Sequence, residues 1–139
     1  MKVQFKRVLS LQADGAVCSL LVLEERHKIM LDCGINSTFD FTRYRDIASE
    51  LKEVKLVLIS HSALEYSGAY SFLVRELGMS SKVFYTTQPI MRYSPLNLHE
   101  QLLLLRMPSY NKKTFNRIYS EYEDLNLVKP FQKKELDLK

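Results

Sequence analysis

The sequence is short of glycine, proline, cysteine and histidine, and each shortage removes a class of function. Its 139 residues contain four glycines (Gly15, Gly34, Gly68, Gly78) and four prolines (Pro89, Pro95, Pro108, Pro130), scattered singly along the chain. No flexible linker and no glycine-rich phosphate cradle can be assembled from them, so nucleotide-binding loops of the common kinds are excluded. Two cysteines, Cys18 and Cys33, allow one disulfide at most. With nothing like a secretory leader ahead of them, the expectation is a reducing, intracellular protein. The longest apolar runs, Leu20–Leu23 and Leu102–Leu105 among them, fall far short of the ~20 residues that cross a bilayer. The expected protein is soluble, with no membrane partner.

What is present fits one ordinary domain with its own core: 46% hydrophobic and 26% charged residues are near globular averages. The net charge of +4 is uneven. From Arg106 to Lys139 eight basic residues (106, 112, 113, 117, 129, 133, 134, 139) face five acidic ones (121, 123, 124, 135, 137), a net +3. Such an excess attracts RNA or another polyanion. Because Glu121, Glu123 and Asp124 interrupt it, the favoured reading is a solvated charged surface.

Val3–Leu11 and Val17–Leu23 read as strands around Asp14-Gly15, a step that favours a tight hairpin turn. Lys28–Asp32 returns as a third strand, which makes a meander. Thr42–Lys52 places Tyr44, Ile47, Ala48 and Leu51 on one helix face, capped by Thr42 or Asp40. Lys55–Ser60 is apolar enough to predict a central strand covered on both faces. Ser67–Leu77 reads as a helix stopped by Gly78, and Lys82–Thr86 as a strand. Thr87–Leu105 reads as a helix that Pro95 kinks or divides, with the Leu102–Leu105 run buried. Lys112–Tyr122 is the last helix. The pattern predicts an α/β class: a mixed sheet with packed helices.

One constellation carries chemistry. The predicted central strand runs into Ser60-His61-Ser62-Ala63-Leu64-Glu65-Tyr66-Ser67-Gly68, at the sheet edge where α/β proteins place their sites. An earlier strand ends in Leu31-Asp32-Cys33-Gly34. Together these resemble the metallo-β-lactamase/β-CASP superfamily, in which a strand ends in Thr or Ser followed by HxHxDHxG and an earlier strand ends in Leu-Asp-Cys-Gly or a variant. The resemblance implies a partial metallo-β-lactamase fold, about half of the αββα sandwich. Residues 1–139 would be the N-terminal part of one such domain, without the β-CASP region, either as a fragment or as a reduced protein completed by a partner. Such a half leaves apolar sheet surface uncovered, so self-association of the chain alone is expected.

The family loop holds two zinc ions, which supply hydroxide and clamp the reacting oxygens, each ion taking about four ligands. Here the first His matches His61, while the second falls on Ala63, the Asp on Glu65 and the last His on Tyr66. Ala63 has no donor, neutral Tyr66 is a poor zinc ligand, and Glu65 extends its carboxylate one methylene further. The expectation is a vestigial motif, with no catalytic residue, no metal and no cofactor. His27 and His99 lack metal-ligand spacing to His61. Cys18 and Cys33 read as small buried apolar residues, Asp32 as an organiser of the loop through backbone hydrogen bonds, and His61 as hydrogen-bonded within the loop. Gly68 reads as a tight turn or a close helix contact.

Further stretches, among them Asp14–Leu21, Phe84-Tyr85-Thr86-Thr87-Gln88-Pro89 and Leu127–Phe131, resemble a non-catalytic branch of the superfamily that serves in pre-mRNA 3′-end cleavage and polyadenylation. The resemblance implies a nuclear pseudoenzyme scaffold. Its implied partners are a catalytically intact metallo-β-lactamase/β-CASP endonuclease paralogue, other polyadenylation-factor subunits and pre-mRNA, with no RNA-binding residue identified. Two alternatives stay open: the inactive subunit of the related small nuclear RNA processing complex, and a metal-dependent hydrolase with an atypical site.

Overall fold

The computed structural model describes residues 1–135; Asp137 and Lys139, counted in the basic last quarter, lie outside the described residues. The strands are β1 (Val3–Leu9), β2 (Cys18–Leu23), β3 (His27–Leu31), β4 (Val54–Leu58), β5 (Phe84–Thr86) and β6 (Asn126–Leu127). They form one sheet in that spatial order. β1, β2 and β3 pair antiparallel as the predicted meander. β3 to β6 pair in parallel, and parallel neighbours need crossover connections. These are supplied by α2 (Thr42–Asp46) and α3 (Ala48–Leu51), then α4 (Leu64–Ser67) and α5 (Tyr70–Arg75), then α6 (Gln88–Leu104) and α7 (Lys112–Glu123). A single helical turn, α1 (Leu11–Asp14), joins β1 to β2. The mixed sheet with packed helices is the expected fold class.

Several local expectations are corrected. The β1–β2 link is not a tight hairpin turn: Ser10 caps α1 through its side chain, and Gly15 ends it at φ 67°. Gly15 still takes the left-handed backbone that its Asp-Gly step favours. The 42–52 helix breaks at Ile47, whose φ of −109° is not helical. The 67–77 helix shortens to α5, separated from the preceding turn α4 that ends at Ser67, and Gly78 takes φ 70° beyond α5. Pro95 does not divide α6, which runs unbroken from Gln88 to Leu104 with the ring buried. Leu102 is half-buried, but Leu103, Leu104 and Leu105 are 55%, 70% and 42% exposed. Leu102 packs against the core, and the other three turn to solvent at the end of α6.

Register separates the sheet into two unlike faces. Leu20, Met30, Val57 and Phe84 share one face and are fully buried. Helices cover this side; Tyr70 of α5 meets Phe84 edge-on at 4.9 Å and Tyr122 of α7 at the same separation. The opposite face carries Val3, Phe5, Leu21, Ile29, Leu31, Leu58 and Tyr85. Phe5 is 59% and Leu58 40% exposed. The expectation that β4 is covered on both faces fails at Leu58, although Leu56, on the same face through its pairing with Ile29, is buried. β4 is central in the sheet, as predicted.

Candidate functional site

The loop that leaves β4 is built around one carboxylate. Asp32, directly after β3, has φ 61°, a left-handed conformation that Asp tolerates better than most residues. From there its Oδ1 accepts hydrogen bonds from the Ser60 backbone N–H at 2.7 Å and the Ser60 hydroxyl at 2.8 Å, with Oδ2 3.0 Å from that hydroxyl. Asp32 is 9% exposed. Its role is the predicted one: it fixes the backbone where β4 turns into the loop.

Ser60 passes this order to His61, its Oγ lying 2.6 Å from His61 Nδ1. The Ser60 hydroxyl has one hydrogen. An ionised carboxylate is the stronger acceptor, so Ser60 donates to Asp32 and the His61 Nδ1–H donates to Ser60. The exposed imidazole lies against the Tyr66 ring with centroids 4.3 Å apart. His61 is thus hydrogen-bonded within the loop, as expected, and only Nε2 is left free of that bond.

Cys33 and Gly34 stitch the two motifs together. Cys33 N–H donates to Tyr66 O at 2.8 Å, Ala69 N–H to Cys33 O at 2.9 Å, Ile35 N–H to Leu64 O at 3.1 Å, and Val17 N–H to Glu65 O at 2.8 Å. These bonds draw the 64–69 backbone against residues 33–35. Tyr44 from α2 donates its hydroxyl to Gly34 O at 2.6 Å. A Cβ on Gly68 would stand 2.6 Å from Ile35 Cγ2. Gly68 is thus explained by close helix packing, its φ of −68° being ordinary.

Both cysteines are free and buried. Burial pushes the Cys18 thiol up to about 12, opposed by a hydrogen bond with Tyr44 and reinforced by the Asp32 charge. Burial, with smaller contributions from Cys18 and Asp32, also raises Cys33 well above the ordinary thiol range. A nucleophilic or metal-binding thiolate requires the opposite shift. The two act as small apolar core residues, as read from the sequence.

The donor set does not fit a zinc pair. Ala63 offers no atom, Tyr66 packs its ring on His61, and Asp32 has turned both oxygens to Ser60. His99 is engaged elsewhere, its Nδ1 hydrogen-bonded to the Tyr110 hydroxyl and its ring 4.3 Å from that of Phe115. Among the described residues no group of three or more His, Cys, Asp or Glu side chains stands close enough to hold a metal ion.

Two residues on α6 complete the site and escaped the sequence reading. Asn97 Nδ2 donates to Ser62 O at 2.8 Å, and Gln101 Nε2 to Ser37 O at 3.2 Å. Their i, i+4 spacing puts both on the face of α6 that looks at the loop. That polar pair on an otherwise leucine-rich helix was the available signal. With Ala63, Glu65 and Glu100 they line a cleft of about 380 Å³. Hydrogen bonds from neighbouring side chains therefore hold the loop.

Comparison with known proteins matches residues 20–139 to the family described as "Metallo-beta-lactamase superfamily domain". Among curated relatives, the cleavage and polyadenylation specificity factor subunit 2 of Arabidopsis thaliana is 28% identical over 108 residues, covering 77% of this chain and 14% of that protein. The subunit of the same name from Oryza sativa subsp. japonica is 29% identical over 96 residues, covering 69% of this chain and 13% of its own. A probable subunit 2 from Caenorhabditis elegans is 24% identical over 117 residues, covering 84% and 14% respectively. The chain thus spans a small part of the length of these relatives, and corresponds to only part of the family's domain.

Proposed function

We propose that this chain, which belongs to the metallo-β-lactamase superfamily, is a non-catalytic scaffold subunit of the pre-mRNA 3′-end cleavage and polyadenylation machinery. The observation that carries the reading is the fate of the motif side chains. Asp32 and His61 are bound through Ser60, and positions 63 and 66 hold an alanine and a tyrosine. A loop organised by hydrogen bonds keeps the family's architecture without the metal chemistry that cleavage requires. The relatives named as polyadenylation-factor subunits support the setting. In that setting the partners are a catalytically intact endonuclease paralogue and other polyadenylation-factor subunits, the location is the nucleus, and pre-mRNA is a further contact.

Affinity purification of the tagged chain, with mass spectrometry and elemental analysis of the recovered complex, tests this. The expected result is co-purification of the endonuclease paralogue and polyadenylation-factor subunits, with this chain purified alone carrying far less than one zinc. Recovery of small nuclear RNA processing subunits instead would move the scaffold to that complex. Stoichiometric zinc together with hydrolysis lost in His61→Ala would establish a metal-dependent hydrolase and overturn the proposal.

A further inference from the structure

We infer that a cleft at the end of β4 remote from the His61 loop is a docking site for an acidic, aliphatic segment of a partner protein. β4 has its loop at one end; the other end, ~13 Å away at strand rise, opens into a cleft of about 470 Å³. Lys52 and Lys55 line it, and no carboxylate does. Both lysines are exposed, as is Lys82, the neighbour of the lining residue Val83.

The arrangement of nearby charge leaves these cations available. Glu50 and Glu53 flank Lys52 in sequence, yet each is engaged elsewhere. Glu50 pairs with Lys6 at 2.7 Å and Lys28 at 3.6 Å, and Glu53 with Lys28 at 2.7 Å. Among the described residues no ion pair forms at Lys52, Lys55 or Lys82. The rim is therefore positive toward a partner, although the sequence alternates Lys52-Glu53 and carries no basic run here.

The walls choose between anionic partners. Leu77 and Val83 supply accessible aliphatic surface above the buried Leu51, Val54 and Met79, and no aromatic or arginine side chain lines the cleft. Single-stranded nucleic acid sites rely on aromatic platforms for base stacking. An aliphatic floor under a lysine rim instead suits a leucine or isoleucine anchor flanked by carboxylates, with the charges steering approach and orientation.

The test uses the full chain and three fluorescent probes: an amphipathic peptide with leucines at helical spacing and glutamates elsewhere, its lysine counterpart, and oligouridylate. Anisotropy at low salt should show the glutamate peptide binding in preference to the other two. Lys52→Glu with Lys55→Glu should weaken it about tenfold or more and confer binding of the lysine peptide, a gain that an unfolded variant cannot show. Equal binding of both peptides, no peptide binding, or oligouridylate binding lost in the double variant each overturns the inference, the last by making the cleft an RNA contact. The inference rests on the scaffold reading for the existence of a partner, but the probes read the surface itself. A chain that binds none of them sinks the inference even where polyadenylation-factor subunits co-purify; peptide binding by a chain recovered without those subunits sinks the scaffold reading instead.

Discussion

A Cβ added to Gly34 would stand 1.6 Å from the carbonyl oxygen of Glu65. The obstacle is backbone, and that backbone is itself held by Val17 N–H, while Gly34 N–H donates to Val17 O at 2.9 Å. Three segments meet where only glycine fits, which accounts for the glycine that closes Leu31-Asp32-Cys33-Gly34. Gly34→Ala should cost more than about 3 kcal/mol, beyond ordinary overpacking. Gly15→Ala is the control. Its φ is 67°, but the nearest atom to its Cβ is Asn36 Cβ at 3.5 Å, so only backbone strain of about 1 kcal/mol is expected. Urea unfolding of the two variants should show this ranking; equal costs would mean that the loop gives way easily.

Asp32 offers a finer test of the same joint. Asp32→Asn keeps an acceptor for Ser60 N–H and tolerates φ 61°, so a loss of about 1 kcal/mol or less is expected. Asp32→Ala leaves the Ser60 N–H without its acceptor and places alanine in the left-handed region, for a combined cost of about 2–4 kcal/mol. Amide hydrogen exchange at Ser60 reports directly on the bond. Fast exchange in Asp32→Ala with slow exchange in Asp32→Asn is the expected pattern, and slow exchange in both would remove Asp32 from its organising role.

The parts of this fold legible in sequence are those where a local pattern and the tertiary environment ask for the same thing. Strand β4 was readable as a central strand because its apolar run sits at the middle of the sheet, although the cover expected over Leu58 is missing. Leu103 to Leu105 misled because apolar character states a preference for burial, while burial itself depends on what lies opposite the last turn of α6. The break between Ser67 and Tyr70 falls where Ala69 N–H donates to Cys33 O, and periodicity carries no record of that contact. In the site, His61, Ala63, Glu65 and Tyr66 were legible as motif positions. The bond from Ser60 to Asp32 joins residues 28 apart in sequence, and Asn97 reaches Ser62 across 35. Pairings of that range follow from topology.

Alkaline pH should unfold the protein through its buried acids. Cys18 has an ordinary value of 9.0 and is raised to about 12, chiefly by burial. Burial raises Cys33, Tyr44 and Tyr122 as well. A raised folded-state pKa means that the unfolded chain releases the proton first, so the native state binds more protons and stability falls as pH rises. The contribution is intact below pH 9.0 and lost progressively toward about 12, at about 1.4 kcal/mol per pH unit for each such group. Denaturant midpoints should be flat from pH 7 to 8.5 and drop steeply above pH 9. Cys18→Ala should make the drop shallower, and an unchanged slope would show that the thiol does not contribute. In native protein both thiols should resist a thiol reagent and react only on unfolding.

The open sheet face sets the behaviour of the chain in isolation. Phe5 and Leu58 lie on the face opposite the buried row of Leu20, Met30, Val57 and Phe84, 59% and 40% exposed, with Leu21, Ile29 and Leu31 between them in register. Monomeric proteins rarely leave a contiguous apolar patch larger than a few hundred Å² in water, and two such faces can pack as sheets do, ~10 Å apart. The chain alone should therefore self-associate at micromolar concentration, seen as concentration-dependent sedimentation. Phe5→Lys with Leu58→Lys should shift it toward monomer. Phe5 is mostly solvated, so Phe5→Lys should change the unfolding free energy by about 1 kcal/mol or less, while Leu58→Lys, at a side chain 40% exposed on an interior strand, should cost more. A wild-type chain that sediments as a sharp monomer and melts cooperatively would show that the face tolerates water. Unchanged association in the double lysine variant would instead move the sticky surface to the leucines at the end of α6.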